Sequence, residues 1–91
     1  MSVTVRIPTQ LRTLTGGAGE IQVEGSSVGE ALKALDAAHP GLADRLFDDS
    51  GGLRRFVNVF LADEDVRFLY GLATPVADGQ TLSIVPAVAG G

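Results

Sequence analysis

One stretch of helical periodicity stands among stretches of alternating periodicity, and that order narrows the fold more than any other feature of the chain. Val28, Ala31, Leu32 and Leu35 recur at the spacing of a single helix face. Before them, Val3-Thr4-Val5-Arg6-Ile7 and Glu20-Ile21-Gln22-Val23-Glu24 alternate apolar and polar residues, the period of a half-buried strand. After them, Arg54 to Ala62 is rich in valine and phenylalanine, and Thr81-Leu82-Ser83-Ile84-Val85 alternates again. Ninety-one residues allow one domain with one small core. The strands are therefore expected to share that core with one main helix.

The residues between these stretches set their ends. Pro8 ends the first strand or holds it at an edge, and Gly16-Gly17-Ala18-Gly19 marks the long connection of a hairpin. Ser27 with Glu30 three residues on is a capping-box pattern, and His39-Pro40-Gly41 stops the helix. Leu42 to Phe47 is expected as a short second helix with Leu42, Leu46 and Phe47 inward, followed by the polar loop Asp48–Gly52. Asp63-Glu64-Asp65 is expected as a turn, Val66-Arg67-Phe68 as a short return strand, and Asp78-Gly79 as a second turn. Leu72 to Val76 has no decisive pattern.

The order is β-β-α-(α)-β-β-β, the layout of an α+β, β-grasp (ubiquitin-like) fold, with a mixed sheet of about five strands. Val3, Val5, Ile7, Ile21, Val23, Val57, Val59, Leu61, Leu82 and Ile84 would face the helix. The expected division is a domain over 1–86 and a flexible tail over 87–91. In this fold the last strand lies beside the first and releases that tail from the sheet.

Composition excludes several functions. Without cysteine there is neither a disulfide framework nor a thiolate metal site, so sulfur chemistry would need sulfur from elsewhere. A net charge of −4 argues against nucleic acid and suits either a basic docking surface or ordinary solubility. No membrane-length apolar run or signal segment is visible, so the expected location is cytoplasmic. Lys33 is the only lysine, fewer than expected of a protein chained through its own lysines.

The chain ends Val85-Pro86-Ala87-Val88-Ala89-Gly90-Gly91. Glycine has no Cβ, so a glycine pair after small apolar residues suits a channel too narrow for side chains. The group delivered there would be the carboxylate of Gly91. Ala87, Val88 and Ala89 would lie extended in the partner's groove, with Gly90 passing its narrowest part.

In these residues the chain resembles the ThiS/MoaD group of ubiquitin-like sulfur carriers, and most closely carriers of the CysO type. The resemblance is carried by Arg55-Phe56-Val57-Asn58-Val59, Asp63-Glu64-Asp65-Val66-Arg67-Phe68, Gly71-Leu72-Ala73-Thr74, Ala77-Asp78-Gly79 and the Gly-Gly ending, over nearly the full length. It implies that the chain is no enzyme but a protein co-substrate, binding no cofactor itself. An E1-like activating enzyme of the MoeB/ThiF type would adenylate Gly91 with MgATP, and sulfur would displace AMP to leave a thiocarboxylate. The sulfur would then attack an aminoacrylate on a pyridoxal-phosphate (PLP) cysteine synthase, or serve a thio-metabolite synthase. A JAMM-type metalloprotease would release the product. The same resemblance leaves open the small subunit of molybdopterin synthase, a thiazole-forming carrier and a ubiquitin-like modifier. A binding-only domain with an incidental Gly-Gly remains the reading outside that chemistry.

Phe56 and Phe60 fall on the strand face opposite Val57, Val59 and Leu61. With the valines under the helix, this pair would form a docking patch flanked by Arg6 and Arg55. Coverage by the loops around Leu69 and Tyr70, or a reversal of the two faces, would remove it. His39 at a helix end is expected to contact carbonyls rather than act in catalysis. Asp63, Glu64 and Asp65 lack the ligand spacing of a calcium loop. Ser26, Ser27 and Ser50 have no nucleophile elbow, and Gly16–Gly19 is followed by a strand rather than by the Lys-Ser/Thr of a phosphate loop.

Overall fold

The computed structural model describes residues 2–54 and 57–86. Strands β1 (Ser2–Arg6) and β2 (Glu20–Glu24) form the expected antiparallel hairpin, in a register that opposes Val3 to Val23 and Val5 to Ile21. β3 (Val57–Leu61), β4 (Glu64–Asp65) and β5 (Thr81–Pro86) complete a sheet in the order β2-β1-β5-β3-β4. β5 runs parallel to β1 and antiparallel to β3, so the last strand is central and mixed in pairing. This is the β-grasp topology expected from the element order.

Helix α1 (Val28–Ala38) crosses one face, and α2 (Leu42–Leu46) follows it. The buried set Val28, Ala31, Leu32 and Leu35 is the apolar stripe of the sequence, and it shares one core with Val3, Val5, Val59, Leu82 and Ile84. Leu42 and Leu46 are buried as expected, with Phe47 packed at the margin. Ile21 and Leu61 are only partly buried, because each lies toward an edge of the sheet. β2 meets α1 closely: a Cβ on Gly25 would lie 2.8 Å from the backbone nitrogen of Ala31, so a side chain there would push strand and helix apart.

The start of α1 is capped twice. Ser27 Oγ accepts from the Glu30 N–H at 3.2 Å, while Glu30 Oε1 accepts from both the N–H and the hydroxyl of Ser26, at 3.0 and 2.9 Å. The carboxylate thus reaches one residue beyond the capping serine. The bond from the Ser26 N–H, then that from its hydroxyl, hold the Glu30 carboxyl below its ordinary range. A depressed pKa favours the fold above the unfolded value, and that contribution is lost as pH falls through the folded one. Glu30→Gln is therefore expected to destabilise the protein at pH 7, with the difference from wild type shrinking as pH drops below about 4.3. Urea unfolding at pH 7, 5 and 3 checks it; a constant difference would show that the carboxylate charge plays no part.

Four stretches depart from expectation. The long hairpin connection contains a 3-10 helix over Thr9–Thr15 that buries Leu11. The turn after β3 falls at Ala62-Asp63, with Ala62 in the left-handed region at φ 56°, and Glu64-Asp65 pairs back as β4. Val66–Phe68 is a 3-10 turn rather than a strand, because the Asp65 side chain accepts from the Arg67 N–H and caps it. β3 is described from Val57; Arg54 lies before it and is not in the strand.

Candidate functional site

The face of the sheet turned away from α1 carries the candidate docking residues. β3 buries Val57 and Val59 and turns Asn58 and Phe60 to the other side, so the faces are not reversed. Strand pairing then sets one row across the sheet: Glu20, Arg6, Ser83, Phe60 and Asp65. The next row pairs Val85 with Asn58. Phe60 is half-buried, and Arg6 lies two strands from it, bonded through Nε to Glu20 Oε2 at 3.2 Å. Both partners are more than half exposed, a setting in which an ion pair contributes at most about 1 kcal/mol. Arg55, Phe56 and the tail residues Ala87, Val88, Ala89, Gly90 and Gly91 lie outside the described residues. The described chain closes on β5, whose Pro86 pairs with Val57 beside the Asn58–Val85 row.

Among the described residues, the strongly exposed aromatics are Phe68 and Tyr70 rather than Phe60. Phe68 is 85% exposed and Tyr70 76%, with Leu69 less so, while Val85 on β5 is 44% exposed. Arg67 ties this loop to the sheet. One guanidinium nitrogen donates to Asn58 Oδ1 at 2.7 Å, and another to the Arg54 carbonyl at 2.6 Å. An alternating reading of 66–68 places Phe68 on the same side as buried Val66. In a 3-10 turn residues two apart differ by about 120° around the axis, so Phe68 points elsewhere. Asp65 immediately before an apolar residue was the capping signal that distinguishes the two.

No group of His, Asp and Glu able to hold a metal occurs among the described residues. Asp65 is committed to the Arg67 N–H, and the backbone of His39 closes α1 by donating to the Leu35 carbonyl. On the helix side, a groove of about 580 Å³ runs between α1, α2 and the 3-10 turn Gly71–Ala73, with Lys33 exposed on its rim. Its carboxylates already serve the fold: Asp36 accepts from the Ala43 N–H at 2.8 Å, and Glu30 from Ser26. No described helix is long and apolar enough to cross a membrane.

Among known proteins, the ThiS family model matches residues 5–91. The chain is 50% identical to the sulfur carrier protein CysO of Mycobacterium tuberculosis, over the whole of both chains. Its backbone matches the crystal structure of the Amycolatopsis orientalis BexX/CysO complex with a TM-score of 0.92 and 49% identity, covering 98% of this chain and 99% of that one. SAMP1 from Haloferax volcanii, a small archaeal modifier protein, matches at a TM-score of 0.85 and 32% identity, with full coverage of both. The family match together with half-identity to a sulfur carrier over its full length establishes that this chain belongs to the ThiS family and works as a sulfur carrier.

Proposed function

We propose that the sulfur travels on the Gly91 carboxyl group, in a cycle whose catalytic groups all belong to partner enzymes. The observation that carries this reading is the alignment with a sulfur carrier, in a family match that runs through Gly91. A carboxylate is a poor electrophile, so activation comes first. The Gly91 oxygen attacks the α-phosphate of MgATP on an E1-like enzyme and pyrophosphate leaves. Sulfide (HS⁻) then attacks the acyl carbon, AMP leaves, and loss of the remaining sulfur-bound proton gives the thiocarboxylate. Ionised sulfur is the more nucleophilic form, as with thiolates, so the tail is ready to transfer it.

The acceptor side is read as a biosynthetic synthase, either a PLP-dependent enzyme forming cysteine or one making a sulfur-containing metabolite. Where the product stays joined to Gly91 through an amide, a metalloprotease of the JAMM type frees it. MgATP and PLP act on those partners. The complex of BexX with CysO, a protein 49% identical to this chain, supports docking of the folded domain onto a second protein. The domain ends at β5, and 87–91 serves as the inserted arm.

Similarity to small archaeal modifier proteins favours a second reading, in which the same acyl-adenylate is passed to lysine amines. Intact-mass measurement on protein from its native host, with fragmentation, separates the two. Replacement of one oxygen by sulfur at Gly91 is the expected result. Isopeptide-linked adducts would favour the modifier. A Gly91 that stays unmodified with ATP, sulfide and the activating enzyme would overturn both.

A further inference from the structure

We propose that Phe68 and Tyr70 form a rigid aromatic tip through which the adenylating enzyme recognises the folded carrier before its tail reacts. The inference rests on the activation step proposed above. Exposed aromatic side chains on a loose loop would be weak evidence, because ordering them on contact is costly. This loop is held at three points. Val66 is fully buried in the core, Arg67 bonds to Asn58 and to the Arg54 carbonyl, and the Tyr70 N–H donates to Thr74 Oγ1 at 3.0 Å. Thr74 is itself buried, and its carbonyl accepts from the Val28 N–H at the start of α1. The frame is fixed, yet it presents two aromatic rings to solvent.

The tip is also connected to the end of β5. Arg67 bonds to Asn58, Asn58 pairs with exposed Val85, and Val85 precedes the strand's last residue, Pro86. A partner that contacts the end of β5 at Val85 reaches, through Asn58 and Arg67, the base of the tip. Asp63 and Glu64, both exposed, lie just before this loop in the sequence. The complementary surface is an apolar pocket edged by lysine or arginine. A second copy of this chain, at net charge −4, is a poor match to that rim.

Among the partners, the adenylating enzyme depends most on such a surface. At that step the tail offers a carboxylate behind two glycines and no sulfur to mark it, so the folded domain must add to selectivity. At later steps the thiocarboxylate sulfur identifies the carrier chemically.

The test is steady-state ATP–pyrophosphate exchange with the purified cognate adenylating enzyme, titrating wild type and the Phe68→Ser/Tyr70→Ser variant. The expected result is a KM raised about tenfold or more, with kcat within about twofold and an unchanged melting temperature. Asp63→Asn/Glu64→Gln is expected to lessen the rise of KM with salt. An unchanged KM in the aromatic variant, or a loss confined to kcat, overturns the proposal. Self-association of wild type that the aromatic variant abolishes would assign the tip to a second copy and overturn it as well. If wild type supports no exchange, the activation step itself fails, and this inference falls with it.

Discussion

Gly90→Val is expected to reduce activation of the chain to below about 1% of wild type while leaving its melting temperature unchanged. The two halves of this result have separate physical causes. Position 90 follows β5 in the sequence, after every described core residue, so a larger side chain there is expected to leave the core packing unchanged. The activating enzyme, however, must bring the Gly91 carboxylate in line with the α-phosphate of ATP. Valine adds two methyl groups at the point where the chain is proposed to pass through a narrow channel, and its branched Cβ restricts the backbone conformations that glycine leaves open. A displacement of about 1 Å at the reacting atoms can cost on the order of a hundredfold in rate. ATP–pyrophosphate exchange and thermal unfolding on the same preparation measure both halves. Normal activation of the variant would remove the threading argument, while a lowered melting temperature would place Gly90 in the folded domain.

The residues that made the fold legible in the sequence were those whose local preference agrees with their tertiary setting. Alternation in β1 and β5 and the stripe of α1 buried the sets they named, β2 buried Val23 and half-buried Ile21 at the sheet edge, and Ser27 capped as its position predicted. The misreadings cluster where neighbouring elements compete for short segments. Valine, arginine and phenylalanine at 66–68 suit a strand by composition, but the Asp65 carboxylate offers the Arg67 N–H a nearer partner and tightens the chain into a 3-10 turn. That one change turns Phe68 outward. Phe60, chosen from alternation alone, sits on the expected face, yet it is half-buried, with Ser83 and Asp65 as its strand partners. The tie from Arg67 to Asn58 spans nine residues and depends on β3 and the 66–68 turn being side by side, which no local pattern encodes. The tail call at 87–91 lies outside the described residues, and its argument rests on chemistry and small size rather than packing.

Leu35→Ala is expected to cost about 2–5 kcal/mol of folding stability. Leu35 is fully buried in the last full turn of α1's apolar stripe, within the single core that joins the helix to the sheet. Removing three carbons there loses their transfer energy and leaves a cavity, which the neighbouring strands can fill only in part. For a domain of this size, total stability is on the order of 5–15 kcal/mol, so the loss is a large fraction of it. With about 4–8 °C per kcal/mol, the melting temperature should fall by roughly 10 °C or more. The same variant, assayed well below its melting point, should still be activated at Gly91, because Leu35 is fully buried in the core and contributes no atom to the exposed tip of Phe68 and Tyr70. A stability loss under about 1 kcal/mol would mean that α1 does not pack on the sheet as described. Full folding with lost activation would mean that the core and the docking surface are coupled, and that the helix takes part in recognising the partner.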